Sequence, residues 1–145
     1  MRGFFEVGIL NGKNSTNVGT LWRSAYQLGA TGIFTIGRRY PKQASDTLKT
    51  YRHVPMREFD SFDDFEIARP RGARLIAVEM GGKPLTSFVH PDQAIYLLGA
   101  EDNGIPQSVL AKCQDVISLE SVNANSFNVA VAGSLVMYHR VFGRR

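Results

Sequence analysis

Asn14, Asn17, Gly19 and Arg23 open one amphipathic stretch of the chain, and their types suit the handling of a polar or anionic ligand. An arginine near a helix start can hold a phosphate in its planar fork; it can equally run its stem past its neighbour Trp22 with no ligand at all. A second segment, Gly99-Ala100-Glu101-Asp102-Asn103-Gly104, sets three polar residues between glycines. It reads either as an acidic turn or as backbone that approaches a ligand closely, since glycine has no Cβ to obstruct it. A third, Glu120 to Asn128, carries Asn123, Asn125, Ser126 and Asn128 just ahead of an apolar stretch, where Ser126 alone reads most simply as a helix cap.

Other chemistries find no support. Gly8-Ile9-Leu10-Asn11-Gly12-Lys13-Asn14 suggests a phosphate loop, but its glycines stand one residue too close and Asn14 replaces the magnesium-binding hydroxyl. His53, His90 and His139 lie on separate segments with no metal-ligand spacing, so no metal is expected. Cys113 has no histidine partner in sequence and closes an apolar stretch, as a buried, inert thiol does. No Gly-x-Ser-x-Gly elbow is present.

The elements that must position these loops follow from periodicity. Strands are predicted at 3–10, 33–36, 53–57, 74–78, 94–98 and 116–119, and most are continuous apolar runs, as in a sheet covered on both faces. Helices are predicted from Asn17 to Leu28 with Thr16 or Asn17 as N-cap, from Ser61 onward, from Pro106 to about Cys113, and from Phe127 to Val141. Gly81-Gly82-Lys83-Pro84 reads as a turn and 38–52 as a polar, basic surface segment. Strands alternating with helices give an α/β fold with a mostly parallel sheet flanked by helices. In such sheets ligands sit beyond the carboxyl ends of the strands, which is where the polar loops fall.

The 145 residues suit a single domain spanning 1–145, with a hydrophobic fraction of 43% that supports a core. The lone cysteine rules out an internal disulfide and fits a cytoplasmic setting. No apolar run is long enough for a membrane span, and the first residues do not form a secretory signal. The formal charge of +4 favours a polyanionic partner, and the cations cluster as Arg38-Arg39-Lys42, as Lys49, Arg52, Arg57, as Arg69, Arg71, Arg74, and as Arg140, Arg144, Arg145.

Taken in order, Asn17-x-Gly19-x-x-x-Arg23-x-Ala25, Leu98-Gly99-Ala100-Glu101-x-x-Gly104-Ile105-Pro106 and Ser126-Phe127-Asn128-Val129-Ala130-Val131-Ala132 resemble the three motifs of the SpoU/TrmH branch of the SPOUT methyltransferases. The resemblance runs from Phe5 to about Val141. It implies an α/β domain with a deep trefoil knot within about 75–145, an exception to the rule against threaded chains. It further implies a homodimer with the active site at the interface, S-adenosylmethionine as cofactor, and methylation of a ribose 2′-hydroxyl in tRNA or rRNA. The absence of RNA-binding extensions resembles the minimal members, which act on the tRNA wobble position. By the same resemblance the cofactor lies against Val78, Glu79, Gly99, Glu101, Ile105, Ile117, Ser118, Leu119 and Ser126. Asn17, Arg23, Glu101, Ser126 and Asn128 match the functional polar residues. The chain departs from the family pattern at Ile117-Ser118-Leu119 and in a stretch before Ser126 that is one residue longer and lacks a usual glycine.

Methyl transfer is an in-line displacement, so the acceptor oxygen and the methyl must be held in line while the hydroxyl loses its proton. An arginine keeps its charge at neutral pH, so Arg23 is better suited to clamp the adjacent phosphate and stabilise the developing alkoxide than to take the proton, which falls to phosphate or water. Ser126 and Asn128 would position ribose or cofactor, and Glu101 would pair with a basic residue or hold its loop. Two alternatives stand beside this one: a non-catalytic RNA-binding protein of the same fold, and an enzyme methylating a base or an antibiotic-site rRNA element.

Overall fold

The structure is a computed structural model that describes residues 3–37, 53–100, 104–123 and 126–143. Its elements run β1 (Phe4–Leu10), α1 (Ser15–Leu28), β2 (Gly32–Ile36), β3 (Met56–Phe59), α2 (Phe62–Ala68), β4 (Arg74–Pro84), a 3-10 turn (Leu85–Ser87), β5 (Gln93–Gly99), α3 (Gln107–Leu110), β6 (Asp115–Ser118) and α4 (Val129–Phe142). Six strands form one sheet in the order β3-β2-β1-β5-β4-β6, and every pairing between them is parallel. The α/β class is as expected, and the insertion of β5 between β1 and β4 fits the trefoil knot that the resemblance implies.

Strand pleating divides the core into two layers. Val7, Ile9, Ile76, Tyr96 and Leu98 meet Val18, Leu21 and Trp22 of α1 and Val136 and Met137 of α4. Leu75, Ala77, Ile95 and Leu97 turn to the other face, where Phe65 of α2 and Val109 of α3 cover them. Phe65 is fully buried and stacks on Phe34 with ring centroids 4.7 Å apart. On the first face, α1 and α4 cross over Gly133. A Cβ there would come within 2.5 Å of the Leu21 side chain and 2.8 Å of the Leu98 side chain, so a larger residue would push both leucines aside.

Several predicted boundaries move. Asn14 caps α1, its side chain accepting from the Thr16 amide at 2.8 Å, in place of Thr16 or Asn17. The strand predicted at 53–57 forms at Met56–Phe59, where it pairs with β2. Residues 81–84 belong to β4 rather than to a turn, because Lys83 and Pro84 rejoin β6 after a break in register. The helix expected from Pro106 to about Cys113 is the single turn Gln107–Leu110, after which residues 115–118 enter the sheet. The basic segment 38–52, together with Arg144 and Arg145, lies outside the described residues.

Arg140, grouped by sequence with Arg144 and Arg145 in a basic cluster, is buried and structural. Its guanidinium donates to Pro91 O at 2.7 Å, Asp92 O at 2.8 Å and the Tyr96 hydroxyl at 3.2 Å, and it lies over the Phe5 ring. Tyr96 in turn lies 2.6 Å from His90 Nδ1, and His90 Nε2 lies 2.8 Å from His139 Nδ1. Arginine only donates, so Tyr96 accepts from Arg140; assigning the buried Tyr96 hydroxyl hydrogen to His90 Nδ1 then leaves His90 with its proton on Nε2, donating to His139. His90 and His139, separate in sequence, are thus neighbours in space. Burial, reinforced by the charges of His139 and Arg140, depresses His90 to about 4, while burial pushes Tyr96 up to about 12.

Between the ordinary histidine value of 6.5 and about 4, the unfolded chain binds a proton at His90 that the folded chain refuses. Stability contributed by neutral His90 is present above pH 6.5 and is lost as pH falls toward 4. The expected loss is on the order of 1–2 kcal/mol once solvent screening is allowed for. Urea unfolding at pH 7 and pH 4.5 checks this, with His90→Gln expected to flatten the difference; an equal slope in both proteins would refute the assignment.

Candidate active site

Register brings the polar loops together. β1 and β5 pair from Phe4↔Gln93 to Leu10↔Gly99, and β4 pairs with β5 from Arg74↔Ala94 to Val78↔Leu98. The carboxyl ends of β1, β5 and the first half of β4 therefore finish at one level, and their loops share one edge of the sheet. Ile117 of β6 stands beside both Val78 and Lys83, so residues 79–82 leave the ladder and rejoin it. That excursion and the loops after β5 and β6 enclose a cavity of about 520 Å3. Its size is that of a small-molecule or cofactor site, and its lining mixes apolar side chains with a few polar groups.

Of the predicted cofactor contacts, Val78, Glu79, Gly99, Ser118, Leu119 and Ser126 line this cavity. Ile105 and Ile117 do not: Ile117 is fully buried in the core beneath the site, and Ile105 turns its side chain into the α2–α3 layer. The Ile105 contribution is instead its backbone N–H, which donates to Glu79 Oε2 at 2.8 Å, while Met80 N–H donates to Glu79 Oε1 at 3.0 Å. Both carboxylate oxygens of Glu79 thus hold backbone, one on each side of the cavity mouth. Gly104 carries φ +63°, donates its N–H to Ala100 O at 2.9 Å, and would place a Cβ 2.4 Å from Glu79 Oε2. Only glycine lets the loop come this close to the carboxylate. Glu101, Asp102 and Asn103, along with Asn125, lie outside the described residues.

Asn128, not Ser126, caps α4. Its Oδ1 accepts from Ala130 N at 2.9 Å and Val131 N at 3.2 Å, and its Nδ2 donates to Asn17 Oδ1 at 3.1 Å. The first and third sequence segments are therefore joined by one amide pair, although 111 residues separate them. Asn17 lines a second, smaller cavity of about 40 Å3 with Gly12, Lys13 and Asn14, and Ala100 and Val129 border both cavities. Arg23 is exposed on α1 and lines neither cavity. It follows Asn17 by six residues, which is about 9 Å of helix axis and well round the helix from it.

The sequence reading passed over Met80, Gly81, Ser121, Asn123 and Phe127 as lining residues. Asn123 was flagged only as a polar loop residue and Gly81 only as part of a turn, and Met80 carried no signal because the break in β4 is set by its partner strand. Among the described residues there is no group of three His, Cys, Asp or Glu that could hold a metal. Burial and the nearby Glu66 carboxylate push the Cys113 thiol up to about 11, so it stays protonated and unreactive at neutral pH.

Residues 5–138 match the model of the SpoU rRNA Methylase family, and the chain belongs to that family. It is 25% identical over 142 residues to an uncharacterized tRNA/rRNA methyltransferase of Archaeoglobus fulgidus, covering 94% of this chain and 63% of that one. The chain thus spans less than two-thirds of that relative's length. A solved structure described as giving insight into the 2-OH methylation of C/U34 on tRNA superposes with a TM-score of 0.81 at 27% identity, covering 98% of this chain and 99% of the other. The SpoU methyltransferase AviRb of Streptomyces viridochromogenes, solved with its cofactor AdoMet, superposes with a TM-score of 0.83 at 24% identity, covering 97% and 60%.

Replacing Gly104 forces a side chain into a positive-φ position against Glu79. Gly104→Ala is expected to lower stability by about 1–3 kcal/mol, read from thermal or urea denaturation; an unmoved transition would show that the loop does not depend on this approach.

Proposed function

We propose that the chain is an S-adenosylmethionine-dependent RNA methyltransferase that methylates a ribose 2′-hydroxyl, with tRNA preferred over rRNA as substrate and the cytoplasm as its setting. The observation that carries this is the pair of adjoining cavities, about 520 and 40 Å3, bordered in common by Ala100 and Val129. One is large enough for a cofactor and the other brings Lys13, Asn14 and Asn17 to the place where an acceptor would enter. Membership in a methylase family and the likeness to a tRNA 2-OH methylation structure support the choice of reaction and of RNA.

The residues present fit the cofactor. Val78, Leu98, Leu119 and Val129 offer apolar walls, while Ser118, Ser121, Ser126 and the backbone around Gly99 offer hydrogen-bonding groups. When bound, the cofactor would supply an activated methyl group for transfer to the hydroxyl oxygen, leaving as the thioether, with the hydroxyl proton passing to phosphate or water. This chain's part is binding and orientation. Glu79 fixes both sides of the cavity mouth, and Asn128 fixes Asn17 at the acceptor side. Ser126 faces the cofactor space, and Arg23 holds the acceptor's phosphate and offsets the charge that develops on its oxygen. Glu101 lies outside the described residues and is assigned to the site by family resemblance alone.

Arg23 is exposed and lines neither cavity of its own chain, which supports a site completed by a second copy. α4 offers the surface for one. Val131, Leu135, Tyr138 and Phe142 are 45%, 40%, 58% and 65% exposed, at four- and three-residue spacing along one helix face. A protein of this kind would be a homodimer with these side chains buried between protomers.

Arg23→Ala is expected to reduce turnover at least a hundredfold while leaving S-adenosylmethionine affinity within about twofold by calorimetry; joint loss of both would make Arg23 structural. Leu135→Asp with Tyr138→Asp should yield a folded monomer by sedimentation, and a dimer that persists would rule this face out. Ribose-methylation mapping of RNA from cells lacking the protein tests the substrate. A site lost from a tRNA anticodon loop is expected, a site lost from rRNA overturns the tRNA preference, and no lost site with no cofactor binding leaves the non-catalytic reading.

A further inference from the structure

The wall of the larger cavity formed by Leu119, Ser121 and Asn123 is tied down from outside the cavity. Glu120 lies between two of these lining residues but does not itself line the space. One oxygen of its carboxylate accepts the Thr86 hydroxyl, and the other lies 3.4 Å from the Thr86 backbone N–H. Thr86 is the middle of the 3-10 turn Leu85–Ser87 that continues β4, and that turn is anchored by Leu85 in the core. Just before the wall, Ser118 Oγ donates to Gly82 O at 3.0 Å. Within it, Ser121 Oγ donates to Asn123 O at 2.7 Å. The wall is thus fastened on both sides of Leu119 to the same rigid segment that carries the 79–82 excursion across the cavity.

Thr86 and Glu120 are both exposed. An exposed polar contact adds little to global stability, so its consequence is local: it decides where Leu119 and Ser121 stand before any ligand arrives. The hydrogen bonds from Thr86 also hold the Glu120 carboxyl below the usual carboxylate range.

We propose that Thr86 and Glu120 form a latch that pre-positions the 119–123 wall for the cofactor, making both of them positioning residues that act through Leu119, Ser121 and Asn123. The proposal rests on the S-adenosylmethionine reading above. Without the latch the wall must be ordered at the moment of binding, and affinity falls by that ordering cost. Because both residues work through one contact, their removal should not be additive.

The test is calorimetric titration of S-adenosylmethionine into the wild-type chain, Glu120→Ala, Thr86→Val, the double variant and Thr86→Ser, with melting curves run alongside. About tenfold weaker binding is expected in either single variant and no further loss in the double variant, with unchanged melting. Thr86→Ser keeps the hydroxyl and should recover most of the affinity. Wild-type affinity in both single variants would overturn the latch, as would losses that multiply in the double variant. A wild-type chain that does not bind at millimolar cofactor would instead remove the cofactor reading and the latch with it.

Discussion

β5 pairs along its length with β1 on one side and β4 on the other, and the position of every loop around the site depends on that double pairing. A parallel strand cannot reach its neighbour by a tight turn, so each of these pairings needs a crossover that carries the chain back to the start of the sheet. The result is that all loops following the strands emerge on one edge. Apolar burial on both faces holds the register: a slip of one residue would exchange Tyr96 and Leu98, which face α1 and α4, with Ile95 and Leu97, which face α2 and α3.

With the loops brought to one edge, a small number of polar contacts shape the cavity. Glu79 accepts from two backbone amides, one on each carboxylate oxygen, a use that fixes loop geometry. Asn128 caps α4 with one end of its amide and reaches Asn17 with the other, so helix initiation and the alignment of two distant segments are the same event. At the opposite end of α4, Arg140, Tyr96, His90 and His139 form one directed chain of hydrogen bonds between the helix, β5 and the segment before it. These contacts have polar groups on both sides, which is how polar side chains enter a packed structure without an unmade hydrogen bond.

Much of this was legible in the order of residues. Continuous apolar runs gave the strands, the Ser61 cap and the apolar spacing gave the helices, and glycine-flanked polar loops marked where a ligand would meet backbone. Gly104 shows both the reach and the limit of such reading. Its place at the end of a glycine-flanked loop suggested close approach, but the object approached is Glu79, which only the β4–β5 register puts beside it. His90 and His139 show the same limit more plainly, for 49 residues separate two rings whose facing nitrogens lie 2.8 Å apart.

The sequence by itself determined the α/β class, the helix and strand identities and the candidate polar residues, because local periodicity and side-chain type act within a few residues of chain. The tertiary structure alone decided which of those residues share a site. It placed Val78, Glu79, Gly99, Ser118, Leu119 and Ser126 on one cavity, withdrew Ile105 and Ile117 into the core, gave the α4 cap to Asn128, and turned Arg23 outward. Those outcomes rest on strand register and helix crossing, which are set by packing between segments far apart in the chain and leave no local mark on the order of residues.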